Sequence, residues 1–245
     1  VAPLYYGHFA LDADLPFESL VSTAHPAGAE VYPILQPYWL EHEKHATPAM
    51  LRAAAANYWA KGADGLIVAP WFYWPFRDAE KAFLTEIGDP RDIRDKDKHY
   101  VVGQRIEDAA RLGYDHPLPL NLPRAGTEGR GEIPFYVADD LNSERVGRVR
   151  LCIRVDNLVT ADQLAVTLNG KPLTVERLRR TSHRYEFQWL EYELKTLRPR
   201  TGPNMLTVAL ESRPEGFAGG VVVDQVELLV EYGLPQSAYI RPDLL

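Results

Sequence analysis

Residues 164–175 read LAVTLNGKPLTV, and this stretch decides the fold of the second half of the chain. Asn169-Gly170 stands between two alternating apolar runs, and Asn-Gly is the pair that most readily supplies the two positive-φ positions of a tight hairpin turn. Outward from it the same period of two recurs at 133–137, 149–155, 185–194, 206–210 and 221–232, with Gly, Pro and Asn between the runs. Six or more such runs predict an antiparallel β-sandwich or jelly roll. In RYEFQWLEYEL (184–194) the alternation sets Tyr185, Phe187 and Trp189 on one face, which reads as core. Tyr136, Tyr185 and Trp189 are the aromatics by which such a sandwich would hold sugar, although docking is the role its pattern favours.

Towards the N-terminus the rhythm changes near residue 115. Residues 1–7 (VAPLYYG), 30–36 (EVYPILQ) and 64–71 (DGLIVAPW) read as strands, and 16–24, 47–61 and 78–87 as helices. The central helix is punctuated by Thr47 as N-cap, Pro48 in its first turn and Gly62 as its stop. Leu51, Ala54, Ala55 and Tyr58 give it an apolar face, expected to lie on a sheet. The mixed-charge stretch DPRDIRDKDK (89–98) reads as a solvated turn or short helix. Strands spaced by helices predict parallel β/α units. A closed (β/α)8 barrel takes about 250 residues, and only about 115 precede the sandwich. Three units therefore predict the closing part of a barrel, with the other strands in a second polypeptide or a preceding region; a small three-stranded α/β cap is the alternative. The expected division is 1–115, partial barrel and linker, and 116–245, β-sandwich.

The chain has 245 residues, with 27 Lys and Arg against 34 Asp and Glu, a net charge of −7. That balance disfavours a nucleic-acid surface, which needs clustered positive charge. No run approaches the roughly 20 apolar residues of a membrane span. The single cysteine, Cys152, alternates into an apolar strand as a small core residue. The chain opens on Val1 with no signal peptide, which predicts a removed leader or a longer whole. Activity on polysaccharide would favour a secreted or periplasmic location.

In parallel β/α architectures the residues just after each strand line the site. Here these are His8, Asp12 and Asp14 after the first run, Gln36, Tyr38, Trp39, Glu41, His42, Glu43 and His45 after the second, and Trp71, Phe72, Tyr73, Trp74 and Arg77 after the third. Sugar rings lay their C–H faces on flat aromatics, and their hydroxyls need oriented polar groups. His8, Gln36, Tyr38, Trp39, Trp71, Tyr73, Trp74 and Arg77 are thus expected to bind carbohydrate. Glycoside hydrolysis generally uses two carboxyl groups. Gln36 stands where the first is wanted, and Glu41 and Glu43 are the fallback catalytic candidates. His42 and His45 lie three apart, outside the zinc-helix spacing, and there is no phosphate loop and no serine in a nucleophile elbow. No metal or cofactor is predicted.

The strings ANYWAKGADGLIVAPW (56–71), FLTEIGDPRDIRDKDKHYVV (83–102), HPLPLNLP (116–123), FYVADDL (135–141) and LAVTLNGKPL (164–173) resemble a group of large bacterial glycoside-hydrolase-like proteins, family-10-like members of clan A. These have a TIM barrel followed by a β-sandwich. The resemblance implies that 1–7, 30–36 and 64–71 are barrel strands 6, 7 and 8, and that strands 1–5, with the acid/base carboxyl after strand 4, lie elsewhere. It also implies a polysaccharide-active glycoside hydrolase cleaving O-glycosyl bonds. The residues themselves leave open a non-catalytic carbohydrate-binding or assembly protein, which Gln36 favours.

Overall fold

A computed structural model of the chain describes residues 11–36, 38–39, 44–68, 78–103, 116–183, 187–217 and 219–233. In chain order the elements are α1 (Glu18–Ala24), β1 (Ile34–Leu35), β2 (Tyr38–Trp39), β3 (Lys44–His45), α2 (Pro48–Ala60), β4 (Ile67–Val68), α3 (Asp78–Glu86), α4 (Pro90–Ile93) and β5 (Lys98–Val101), followed by the long run of strands. These are β6 (Leu120–Leu122), β7 (Arg130–Val137), β8 (Val146–Asp156), β9 (Gln163–Leu168), β10 (Lys171–Pro172), β11 (Arg177–His183), β12 (Phe187–Glu193), β13 (Gly202–Ser212) and β14 (Val221–Tyr232).

The period-two runs form two antiparallel sheets. One has the order β10-β9-β13-β7; the other has the order β11-β12-β8-β14-β5, with β6 also on β14. The Asn-Gly hairpin forms as expected: Asn169 and Gly170 both take positive φ, and Leu168 pairs with Lys171. Inward side chains of both sheets share one core, including Ile133, Leu206 and Val208 from one sheet and Leu151, Ile153 and Val226 from the other. Face-to-face packing of two such sheets makes a β-sandwich.

Strand β12 reverses one expectation. Gln188, Leu190 and Tyr192 point inward, while Phe187 and Trp189 stand half-buried on the outer face with Glu191 and Glu193. The two glutamates share the tryptophan's parity, and ionised carboxylates seek the wet side of a sheet. Buried Gln188 is satisfied: it donates to Leu158 O at 2.8 Å and accepts from Arg180 Nη2 at 2.9 Å.

The barrel expectation is overturned. Of the three expected strands, 1–7 lies outside the described residues, as do 69–71 of the third, and the described parts of the other two contribute β1 and β4. These pair in parallel through only Ile34 with Ile67 and Leu35 with Val68. Barrel strands fill the interior with successive layers of inward side chains, whereas Ile67 of β4 is exposed. The chain next turns back antiparallel, β2 on β3, instead of continuing a parallel sheet. The described strands are overwhelmingly antiparallel, and no barrel closes among them.

Helix α2 carries its expected caps: Thr47 Oγ1 accepts from Met50 N, Pro48 opens the first turn, and Gly62 ends it at φ +95°. It does not lie on a parallel sheet. It runs beside β5 and reaches β7, the edge strands of the two sheets, and so closes an open side of the sandwich. Its alanine run permits the approach, with Ala53 entering the sandwich core. Asn57 fixes it there. Its Nδ2 donates to Ala13 O at 2.8 Å and Tyr136 O at 3.0 Å, and its Oδ1 accepts from Ala138 N at 2.9 Å. Towards β7 the carboxamide acts as one peptide of a neighbouring strand, and covered edges do not recruit other chains. The other side of α2 packs into a second core with Leu11, Phe17, Val31, Leu35, Phe83 and Ile93. Strand β5, on the N-terminal side of residue 115, belongs to the sandwich sheet. Among the described residues no helix is long and apolar enough to cross a membrane.

Candidate ligand-binding cavity

The sequence-predicted aromatic rim falls largely outside the described residues. His8, Glu41, Glu43, Trp71, Tyr73, Trp74 and Arg77 all lie there, while Tyr38 and Trp39 are placed as strand β2, paired with β3. Gln36 follows β1 and is buried, and its Oε1 has no hydrogen-bond partner.

A cavity of about 280 Å³ opens elsewhere, where α2, α4, β5 and the end of β7 meet. Ala56, Trp59 and Ala60 line it from one side, Pro90, Ile93 and Arg94 from another, and Lys98, Ala138 and Asp139 complete it. Each wall has a local cause. Trp59 is half-buried, and its Nε1 donates to Ile87 O at 3.0 Å, which holds the ring on the helix flank. Helix α4 is started by Asp89, whose Oδ1 accepts from Arg91 N at 2.8 Å, with Pro90 next.

The polar end of the cavity is a buried ion pair. Lys98 Nζ lies 3.1 Å from Asp139 Oδ2, and the two side chains are 0% and 8% exposed. The ammonium donates to Ile93 O at 2.6 Å, Arg94 O at 3.1 Å and Lys96 O at 3.3 Å, carbonyls at and just beyond the end of α4. The Tyr232 ring lies 4.8 Å from Nζ. Burial pulls the lysine's pKa down, against the attraction of Asp139. Burial likewise pushes Asp139 up, against Lys98 and the hydroxyls of Tyr100 and Tyr232. Three carbonyl acceptors and a carboxylate beside one ammonium favour the charged form.

A second buried cluster lies on the other flank of α2. Lys61 Nζ donates to Asp14 Oδ1 at 2.5 Å and to Asp14 O and Leu15 O at 3.1 Å, with Glu18 at 3.3 Å and the Tyr136 ring 5.1 Å away. Tyr58 donates to Asp12 O at 2.5 Å. Asp12 Oδ1 accepts from Asp14 N, its Oδ2 has no hydrogen-bond partner, and His116 Nε2 lies 3.9 Å from Oδ2. Burial pushes the Asp12 carboxyl up to about 6, tempered by the Asp14 N–H and Lys61. Gly103 is needed beside it, since a Cβ there would come within 2.3 Å of His116 Nδ1. Asp12 and Asp14 were legible as polar residues after an apolar run; their partners were not. Nor was the cavity: Trp59 hid inside an apolar helix, and Lys98 inside a charged stretch that reads as solvated.

No known family model and no curated protein matches the chain. Among solved structures, dimeric latent PorU from Porphyromonas gingivalis overlaps 57% of this chain and 13% of its own, at 11% identity and a TM-score of 0.29. A Paenibacillus cycloisomaltooligosaccharide glucanotransferase complexed with cycloisomaltoheptaose overlaps 85% of this chain and 29% of its own, at 10% identity and a TM-score of 0.26. Both overlaps are loose, and the chain spans less than a third of either protein.

Proposed function

We propose that the protein binds carbohydrate without cleaving it, and that the cavity beside α2 holds one sugar ring. The observation that carries this is the pairing of Trp59 with the Lys98–Asp139 ion pair in a single small cavity. An aromatic wall suits the C–H face of a pyranose, and fixed charged groups orient hydroxyls. At about 280 Å³ the space is just below the range of about 300–1,000 Å³ for drug-sized ligands, which suits one ring better than a chain. The sequence resemblance to glycoside-hydrolase-like proteins supports the same ligand class. Hydrolysis is the finer possibility that the resemblance implies, but the lining contains one carboxylate, Asp139, and it is tied to Lys98. Glycoside hydrolysis generally uses two carboxyls about 5 to 9.5 Å apart.

An oligosaccharide array probed with the chain and with Ala60→Phe tests the proposal. Ala60 is exposed and lines the cavity, so the larger ring fills the space with little disturbance to the fold. The expected result is binding by the parent chain, loss of binding in the variant at an unchanged melting temperature, and no release of reducing ends. Equal binding by the two proteins contradicts the cavity assignment, and released reducing ends contradict the non-catalytic one.

A further inference from the structure

We infer, resting on the carbohydrate proposal above, that the preferred ligand is an acidic saccharide whose carboxylate is received by Arg94. The titratable side chains lining the cavity are Arg94, Lys98 and Asp139, two cations and one anion. Lys98 and Asp139 neutralise each other at 3.1 Å, which leaves the charge of Arg94 uncompensated. Arg94 is exposed, and its guanidinium makes no hydrogen bond or ion pair among the described residues. Asp89, whose charge it feels, is already held by Arg91 through Nε at 2.9 Å and Nη2 at 2.5 Å. Of the neighbouring charges, Lys96 is engaged with Glu86 at 3.1 Å and Asp95 with Arg145.

A guanidinium presents a planar fork of donors that matches a carboxylate with two parallel hydrogen bonds. Trp59 and Arg94 line the same small cavity, so a ring stacked on the first places an exocyclic substituent within reach of the second. A uronic acid has both parts in one unit: a pyranose ring and a carboxylate at C5. A neutral hexose has a hydroxymethyl group in that place, which accepts one weaker hydrogen bond and carries no charge.

The test is calorimetric titration of the chain with oligogalacturonate, with the neutral α-1,4-linked galactose oligomer of equal length and with acetate. Oligogalacturonate is expected to bind at least tenfold tighter than the neutral oligomer. Arg94→Gln is expected to remove that advantage, weakening acidic binding at least tenfold and neutral binding by much less, and 1 M salt to shrink it. Because Arg94 is exposed, the variant should melt with the parent. Equal affinity for acidic and neutral oligomers overturns the inference and leaves the carbohydrate proposal standing. Failure of both oligomers to bind overturns the two together. Acetate binding as tightly as the oligogalacturonate shows a carboxylate site and overturns the saccharide. An acidic preference that survives Arg94→Gln assigns it to another residue and overturns the role of Arg94.

Discussion

In the sandwich, strands of 8 to 12 residues such as β7, β8, β13 and β14 satisfy their own N–H and C=O groups in ladders, whereas the described residues of 11–103 form strands of two to four residues and, outside the helices, meet much of the same need with side chains. Lys61 bonds the carbonyls of Asp14 and Leu15, Lys98 those of Ile93, Arg94 and Lys96, Tyr58 that of Asp12, and Trp59 that of Ile87. Buried backbone polar groups need partners wherever they lie. A region short of ladders must therefore bury long polar side chains, and each brings a charge or hydroxyl that burial penalises. Apolar shape specifies the sandwich; buried polar atoms specify the segment that closes it.

The largest expected effect breaks that second dependence. Lys98→Met keeps most of the volume but leaves Asp139 without its cation and takes a donor from three carbonyls, and is expected to cost about 3–5 kcal/mol. Urea unfolding measures it, and a loss under about 1 kcal/mol would show that the ion pair is not structural.

An intermediate effect concerns Asp12. Its folded carboxyl, raised to about 6 against 3.8 for the free group, binds a proton more tightly when folded. Its stabilising contribution is therefore complete below about pH 4 and is lost as the pH rises through about 6. The shift corresponds to at most about 3 kcal/mol. Asp12→Asn, which cannot ionise, is expected to be more stable than the parent at pH 7, with the gap closing by pH 4. Unfolding midpoints at pH 4, 5.5 and 7 follow the difference, and a gap independent of pH contradicts it.

The smallest effect belongs to the sandwich. Leu206, fully buried between the sheets, should tolerate Leu206→Met at a cost below about 1.5 kcal/mol, because volume and apolarity are kept. A cost matching that of Lys98→Met would erase the contrast between the regions.

The same contrast explains what the sequence disclosed. Alternation and Asn169-Gly170 made the sandwich legible, since a half-buried strand writes its burial into a period of two. The caps of α2 were legible for a similar reason: Thr47, Pro48 and Gly62 act locally. The partner of α2 was not. An alanine-rich helix fits a parallel sheet or a sandwich edge equally well, and only Asn57, a polar residue on a buried helix, marks the difference. In strand β12 the aromatics point to one face as core, and the parity of Glu191 and Glu193 decides for the other. The cavity is not written in the sequence, because Trp59, Lys98 and Asp139 are separated by 39 and 41 residues along the chain and come together only through β5 and the end of β7. Charge patterning alone cannot tell a solvated lysine from one enclosed by carbonyls.

The five tryptophans provide the most direct test, because Trp59 lines the cavity and Trp189 stands on the outer sandwich face. In a two-dimensional NMR titration with an acidic oligosaccharide, the indole N–H resonances are assigned by single Trp→Phe substitutions. The Trp59 signal is expected to move progressively with added ligand while the Trp189 signal stays in place. Movement of Trp189 with Trp59 unchanged would place the ligand on the sheet face and contradict the cavity as the binding site.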